Sequence, residues 1–217
     1  MAKVKISKKS TRIDMTAMCD VAFLLLSFFI MTATAKQPEP KPVDTPASTV
    51  LEKLPEEGVA IITVGDSAAF FTIPANAEIR RKTLERISRE YGVTFSEEEY
   101  KKFEGLQGFG VPVNQLKGLL KLSVTERNVE GLQKGIPFDS VNNQLGNWVK
   151  FARQANREVL DERIANNEEG VVLKDLDIAI KGDAEENYMT VKRIIDILQE
   201  QDKNKFFLVT GLRNEDF

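Results

Sequence analysis

The chain has 217 residues, with 30 lysines and arginines against 33 aspartates and glutamates and a formal net charge of -3 at pH 7. It contains no histidine and a single cysteine, which excludes a histidine base, a Ser-His pair and a His/Cys metal cluster, and its near-neutral charge provides no basic surface for nucleic acid. We therefore expect no enzymatic activity, no cofactor, no bound metal and no nucleic-acid partner.

The first 14 residues form a short basic tail. Its charged residues are five cations, Lys3, Lys5, Lys8, Lys9 and Arg12, and one acid, Asp14. An excess of Lys and Arg keeps a segment beside a transmembrane helix in the cytoplasm. Residues 1–14 are therefore predicted to be cytoplasmic, and the residues after the next apolar segment to be exported.

An apolar segment follows at residues 15–35, and no second run in the sequence reaches its length. About 20 apolar residues let a helix cross the hydrocarbon core of a bilayer, so a single transmembrane helix is predicted. Asp20 lies inside it. A carboxylate there costs roughly 2.5–3.5 kcal/mol, and such acids usually face a partner, a water cavity or a proton path. The alternative is an acid that reaches the interface, although its short side chain starts about 8 Å into the helix.

A cleavable signal peptide is another interpretation of the same residues. Ala33, Thr34 and Ala35 fit an A-x-A cleavage site after a basic region and an apolar run. Cleavage would discard Asp20 and release a soluble domain. The apolar run is long for a signal peptide and an acid within it would weaken one, so we favour the retained helix.

Polar residues share one side of the predicted transmembrane helix. Thr16, Asp20 and Ser27 are spaced by four and seven positions, which places them on one face. Thr16 and Ser27 are therefore candidates for polar support of the proton-carrying candidate Asp20. The alternative is that both hydroxyls bond to backbone carbonyls one turn back, which needs no functional role.

Residues 36–55 are predicted to be a proline-rich linker. Prolines alternate with polar residues up to Thr49, a composition typical of an extended polyproline spacer, and about 14 such residues span roughly 40 Å. A disordered tether is the alternative, and the two differ mainly in stiffness.

A β-hairpin is predicted next, with strands at 59–64 and 68–73 around a Gly-Asp-Ser turn. Three helical segments follow within residues 76–138. They are predicted at 78–91, at 96–106 behind a Ser96–Glu99 capping box, and at 112–122 after a glycine-rich break.

The last part of the sequence predicts a long helix and a strand-helix-strand unit. The helix is expected to start at 139 or 140 and to run to about 166, with Trp148 on its core face. A strand at 177–183, an amphipathic helix at 188–200 and a strand at 205–210 then predict a parallel, right-handed crossover. The apolar positions of the long helix keep helical spacing: Val141, Leu145, Trp148, Val149, Ala152, Ala155, Val159 and Leu160.

Two segments resemble one family. Thr16 and Asp20, followed by a Leu/Phe-rich run, are similar to the membrane signature of the ExbD/TolR family. The segment 178–210, with its Lys-Gly-Asp turn and its Phe-Phe-Leu-Val-Thr strand, resembles the end of that family's periplasmic domain. Met18 stands where the family usually has a proline, and residues 76–138 depart from the family pattern as an insertion.

The resemblance implies an α+β architecture. It consists of a cytoplasmic tail (1–14), a single N-terminal transmembrane helix (15–35), a proline-rich periplasmic linker (36–55), and a small mixed α/β periplasmic domain (56–75 and 139–217). A mainly helical insertion at 76–138 interrupts the domain, and we interpret it as decoration rather than a second docking surface.

The resemblance also implies a function: a proton-motive-force-driven subunit of the inner membrane of a double-membrane bacterium. Two copies, a homodimer, would sit in membrane lipid within a pentamer of an ExbB/TolQ-like protein, and Asp20 would carry the proton. The exported domain would engage a TonB-like energy transducer. The alternatives are TolR-like envelope maintenance, a gliding-type motor, or an anchored periplasmic binding or structural module without ion coupling.

Overall fold

The computed structural model describes residues 15–32, 39–48, 54–55, 58–129, 131–168 and 170–212. The chain divides into two units, Met1–Gln37 and Pro38–Phe217; the second is called the α/β unit below. The elements in chain order are α1 (Met15–Thr32), β1 (Ala47–Ser48), β2 (Val59–Gly65), β3 (Ala68–Thr72), α2 (Ala77–Tyr91), α3 (Glu97–Glu104), α4 (Val113–Lys121), α5 (Val124–Arg127), α6 (Gln144–Ala165), β4 (Asp177–Gly182), α7 (Tyr188–Gln199), β5 (Phe207–Val209) and β6 (Gly211–Leu212).

The first unit contains one described element, the helix α1. Its 18 residues have a mean hydropathy of 1.9 and none of them is buried. Among the described residues, it is the one helix long and apolar enough to cross a membrane. The predicted helix is thus confirmed over 15–32, while the tail 1–14 and residues 33–35 lie outside the described residues.

Four strands form the main sheet of the α/β unit, in the order β3-β2-β4-β5. β2 and β3 pair antiparallel, which confirms the predicted hairpin. Asp66 and Ser67 form its turn with φ values of 52° and 57°, the left-handed conformation that two-residue hairpin turns favour. β4 pairs in parallel with both β2 and β5, so the predicted parallel crossover through α7 is confirmed.

One face of the sheet carries the core. Successive side chains of a strand point to opposite faces, and alternate residues of β2 and β4 are therefore buried together. They form one apolar cluster with residues of α2, α4, α6 and α7. The β2 and β4 residues of this cluster are Ala60, Ile62, Val64, Ile178 and Ile180, each at most 1% exposed.

Residues 76–138 are built into that core. Phe103 and Phe109 pack on Trp148 of α6, with ring centroids 5.8 and 4.6 Å apart. The backbone of Phe109 also pairs with Phe71 of β3. Trp148 is fully buried, which confirms its predicted place in the core. Removing the segment would therefore open the core rather than detach an appendage.

Local capping signals set the helix ends in this segment. The Asn76 side chain accepts two backbone N–H groups of the first turn of α2, and Gly92 ends that helix in the left-handed conformation at φ 64°. Ser96 and Glu99 form the predicted capping box of α3. The predicted helices at 78–91, 96–106 and 112–122 are confirmed as α2, α3 and α4, with ends within two residues of the prediction.

The long helix α6 begins later than predicted. It starts at Gln144 behind the capping residue Asn143, not at 139 or 140. The Asp139 carboxylate accepts the backbone N–H groups of Val141 and Asn142 at 2.9 and 2.8 Å, which forms a separate turn. Val141 is 98% exposed, so its predicted place on the apolar face was wrong.

Part of the predicted linker is bound to the α/β unit. Residues 39–48, called the strap below, lie against the unit, and their last two residues form β1 parallel to β6. The linker at 36–55 was predicted as an extended spacer, and its periodic prolines indicate an extended backbone but do not reveal the tertiary contacts of residues 39–48. The strap is held by Glu39–Lys181 at 2.6 Å, Lys41–Asp66, Ala184 N–H to the Asp44 carbonyl at 2.7 Å and Gly211 N–H to the Pro46 carbonyl at 3.0 Å.

Candidate functional site

Asp20 is the sixth residue of α1 and lies in an otherwise apolar helix. Among the described residues its carboxylate has neither a hydrogen bond nor an ion pair. The helix surface around it is apolar, and Phe23, Leu24, Phe29 and Ile30 are each more than 60% exposed. A carboxylate in a membrane needs a partner or water, and none of the described residues provides a partner for Asp20.

Thr16 and Ser27 lie on the same side of α1 as Asp20, as their spacing requires. The Ser27 hydroxyl donates to the carbonyls of Phe23 and Leu24 at 2.6 and 3.1 Å. This is the backbone bonding expected of a helical serine without a functional role. Support of Asp20 by Thr16 or Ser27 stays a prediction.

Two buried cations of the α/β unit are satisfied by backbone carbonyls. Arg80, 6% exposed, donates to the carbonyls of Ile73, Pro74 and Glu104 at 3.1, 2.9 and 2.7 Å. Arg127 donates to two carbonyls at the end of α4 at 2.9 and 3.5 Å. Burial lowers the pKa of both guanidinium groups. Arg80 lies at the C-terminal end of α3 and Arg127 at that of α4, where the helix dipole is negative. Their role is therefore structural.

A cluster of three charged side chains joins α6 to the loop before β5. Asp175 accepts from Arg153 and from Lys203, each at 3.0 Å, and Lys203 is 7% exposed. Burial opposes ionisation of Asp175, but the hydrogen bonds from the two cations outweigh it and lower the pKa of the carboxyl group. Sequence reasoning missed this cluster, because its members lie far apart in the chain.

The charged residues around one cleft of the α/β unit are also used within the fold. This cleft of about 730 Å³ lies between the start of α2, the second half of α6 and the loop before β4. Its acids are Asp175, paired as above, and Asp177, paired with Lys174 at 2.6 Å. Within the described residues, no cluster of three or more His, Cys, Asp or Glu side chains is arranged to hold a metal ion.

The described residues thus contain one helix long and apolar enough to span a membrane, and an acid without a described partner, Asp20, lies inside it. The chain belongs to the ExbD/TolR family: the profile of this family, described as biopolymer transport protein ExbD/TolR, matches residues 7–212. The matched range includes the segment 76–138. Comparison with curated proteins and with solved structures gave no significant match.

Membership of this family places the chain among biopolymer transport proteins. Together with the apolar helix α1, it indicates a single-pass protein of the inner membrane. Family members are transport-associated non-enzymes and generally work with partners of the ExbB/TolQ type.

Proposed function

We propose that the chain is a motor subunit that uses the proton-motive force to energise transport across the outer membrane, with Asp20 as the proton-carrying residue. The observation that carries this proposal is a single carboxylate within an apolar helix, without a partner among the described residues. A fixed structural acid would have a partner within the fold, as Asp175 has.

The partner of Asp20 is an ExbB/TolQ-like membrane protein. Five copies of that protein surround the α1 helices of two copies of this chain, and lipid covers the outside of the assembly. The exposed apolar side chains of α1 support this arrangement, because they suit packing against other membrane helices. Each Asp20 then alternates between a protonated and an ionised state as it meets different neighbours.

The membrane potential supplies about 2.3 kcal/mol for each charge that crosses 100 mV. The basic residues of the tail support a cytoplasmic N-terminus, which places the α/β unit in the periplasm. There it engages a TonB-like energy transducer. The TolR-type output, envelope maintenance, uses the same proton step and differs in what the α/β unit binds.

The test is the substitution Asp20→Asn in cells that depend on this chain for uptake through an outer-membrane receptor. Asparagine keeps the size of the side chain and removes its proton exchange. We expect uptake to be lost while the membrane level of the protein and its co-purification with the ExbB/TolQ-like partner stay normal. Asp20→Glu is the matched control, because it retains a carboxylate, and it should keep part of the uptake.

Two other outcomes of the Asp20→Asn experiment would contradict the proposal. Normal uptake with Asp20→Asn would refute the proton-carrying role and favour an anchored periplasmic module. Loss of uptake together with loss of the partner would show that Asp20 holds the assembly together, which also contradicts the proposal. Ser27→Ala tests the predicted polar support of Asp20: wild-type uptake would show that the Ser27 hydroxyl serves only its own helix backbone, to which it is bonded.

A further inference from the structure

The cleft between α2, α6 and the loop before β4 combines an apolar floor with a polar rim. Its volume of about 730 Å³ lies in the range of pockets that hold small ligands. Ile79 and Val159 line it and are 5% and 1% exposed. Val59 and Leu160, which are half-buried, add apolar surface above them.

The helix α6 presents a stripe to this cleft that is polar at both ends and apolar in the middle. Asn156, Val159, Leu160 and Arg163 all line the cleft, and their spacing of three, four and seven positions places them on one face of the helix. At 1.5 Å per residue, Asn156 and Arg163 are about 10 Å apart along the helix axis. A ligand that contacts both ends therefore has the length of about three extended residues.

The amide oxygen at one end of the stripe is an acceptor without a described donor. Asn156 is 6% exposed, and its Nδ2 donates to the carbonyl of Lys174 at 3.1 Å. This bond fixes the orientation of the amide, because a carbonyl oxygen can only accept. Oδ1 of Asn156 accepts no hydrogen bond from a described residue. Since buried polar groups usually have partners, a donor bound in the cleft would complete those of Asn156.

The cation at the other end of the stripe has donors available. Arg163 pairs with Glu168 at 3.9 Å, and the two side chains are 40% and 53% exposed. A guanidinium group carries five N–H donors and binds carboxylates through two of them. Asp175 and Asp177, the acids of the cleft lining, are paired with other cations, so Arg163 is left for an anionic group from outside.

We propose that this cleft binds a short extended peptide segment of another protein. A backbone N–H group of the segment donates to Asn156, an aliphatic side chain packs on the apolar floor, and a carboxylate binds Arg163. A peptide chain places these three groups within about 10 Å of one another. The carboxylate is that of a chain terminus or of an acidic side chain.

The segment 76–138 provides one wall of the proposed site. Asn76 and Ile79, at the start of α2, line the cleft opposite α6. The site therefore gives this segment a role in binding, where the sequence indicated decoration. It goes beyond the proposed function and does not depend on proton transfer at Asp20.

Three short peptides, added to the purified full chain in detergent, test the site. The first is alanine-leucine-alanine with an acetylated N-terminus and a free C-terminus. The second is acetylated alanine-leucine-aspartate with an amidated C-terminus, and the third is the first peptide with its C-terminus amidated. Ligand-detected NMR measures each Kd. We expect the uncharged third peptide to bind several-fold more weakly than the better of the other two, because it offers no carboxylate to Arg163.

The same measurements identify the source of the carboxylate and test the other two contacts. Tighter binding of the first peptide indicates a chain terminus, and tighter binding of the second indicates an acidic side chain. Serine in place of leucine removes the aliphatic group, and N-methylation of the first alanine removes a backbone donor. Each change should weaken binding several-fold while the protein stays unaltered.

Arg163→Gln tests the cation without disturbing the core. It should abolish the preference for charged over uncharged peptide, because glutamine keeps donors but carries no charge. Arg157→Gln is the matched control: Arg157 is exposed on the same helix and lies outside the cleft lining. It changes the net charge equally and should keep the preference. Leu160→Ser should reduce the preference for leucine over serine.

Three outcomes would overturn the proposal. They are the absence of binding at millimolar peptide, equal binding of charged and uncharged peptides to the wild-type chain, and equal loss of the preference in Arg163→Gln and Arg157→Gln. An Asp20→Asn chain should bind the peptides as the wild type does. Uptake and peptide binding are thus measured separately, so failure of the cleft as a site and failure of the proton-carrying role are distinguishable.

Discussion

The helix α1 and the α/β unit differ in whether their charged side chains have partners within the described chain. In the α/β unit, Arg80 and Lys203 are buried and satisfied within the fold, by backbone carbonyls or by a carboxylate. In α1, Asp20 has no partner among the described residues and is surrounded by apolar side chains. Burying a charge is tolerable only when it is paired, so the paired charges of the α/β unit contribute to its stability, whereas Asp20 is the residue on which the proposed function depends.

The comparison separates two kinds of mutational effect. Substitutions of the paired charges should lower the free energy of unfolding of the α/β unit. Under the proposed function, Asp20→Asn should abolish uptake and leave that free energy unchanged. Trp148 is the single tryptophan of the chain and lies in the core, so its fluorescence follows unfolding of the α/β unit in the detergent-solubilised full chain.

The largest change in stability is expected for Arg80→Leu. Leucine keeps much of the volume but removes all donors, which leaves three carbonyls near α3 without a partner. Unsatisfied buried groups are costly, and we expect a loss of about 3 kcal/mol in the free energy of unfolding. Denaturant titration of Trp148 fluorescence measures it.

The neighbouring residue Arg81 is the matched control. It pairs with Glu97 and Glu104 at 2.8 and 3.2 Å, but these contacts are partly exposed to water. Arg81→Leu should cost much less than Arg80→Leu, because exposed ion pairs add little to stability. Equal losses for the two variants would contradict the distinction between buried and exposed cations.

The pH dependence of stability provides the next prediction. The pKa of Asp175 is lowered in the folded state, so this group stabilises the fold above its unfolded pKa of about 3.9, and the contribution is lost as pH falls through the folded pKa. Asp175→Asn should reduce stability at neutral pH by no more than about 1 kcal/mol, because its side chain is 44% exposed. It should also flatten the loss of stability between about pH 5 and pH 3.

A substitution with the same change in charge tests whether that effect is local. Asp161 is exposed on α6 and has no ion pair among the described residues. Asp161→Asn should leave the acid dependence close to wild type. If it flattens the curve as much as Asp175→Asn does, the effect comes from net charge rather than from the contacts with Arg153 and Lys203.

The part of the fold that local signals determine was predictable from sequence. The Ser96–Glu99 capping box and the Gly-Asp-Ser turn each placed an element correctly. Where two signals compete, as Asp139 and Asn143 do before α6, the start was placed too early. Contacts between distant residues, such as Arg153 and Asp175 with Lys203, leave no local pattern and were missed.

For the candidate site too, features visible in the local sequence could be predicted and features set by the fold could not. Asp20 could be singled out because one acid in an apolar run is visible in the sequence. The bonding of the Ser27 hydroxyl to Phe23 was foreseen as an alternative, since helical serines commonly bond in this way. The place of β5 at the end of the strand order could not be foreseen, because it depends on which strands neighbour each other in the sheet.

The smallest change in the free energy of unfolding is expected for a substitution at the strap. It tests whether an exposed charge pair of the α/β unit stabilises the structure around it. Lys181 forms an ion pair of 2.6 Å with Glu39, so Lys181→Glu places two acids next to each other. The free energy of unfolding should fall by less than about 1 kcal/mol, because the pair is partly exposed. The local effect should be clearer: hydrogen exchange of the Ala184 and Gly211 amides, which bond to the strap, should speed up.

Two controls make the strap experiment specific. Glu39→Lys combined with Lys181→Glu restores opposite charges and should restore slow exchange at both amides. The Asp183 amide donates to the Val64 carbonyl at 2.9 Å, within the sheet end rather than to the strap, so its exchange should not change. A change confined to the Ala184 and Gly211 amides reports on the strap. Faster exchange at the Asp183 amide as well would show that Lys181→Glu loosens the end of the sheet itself and would contradict the prediction.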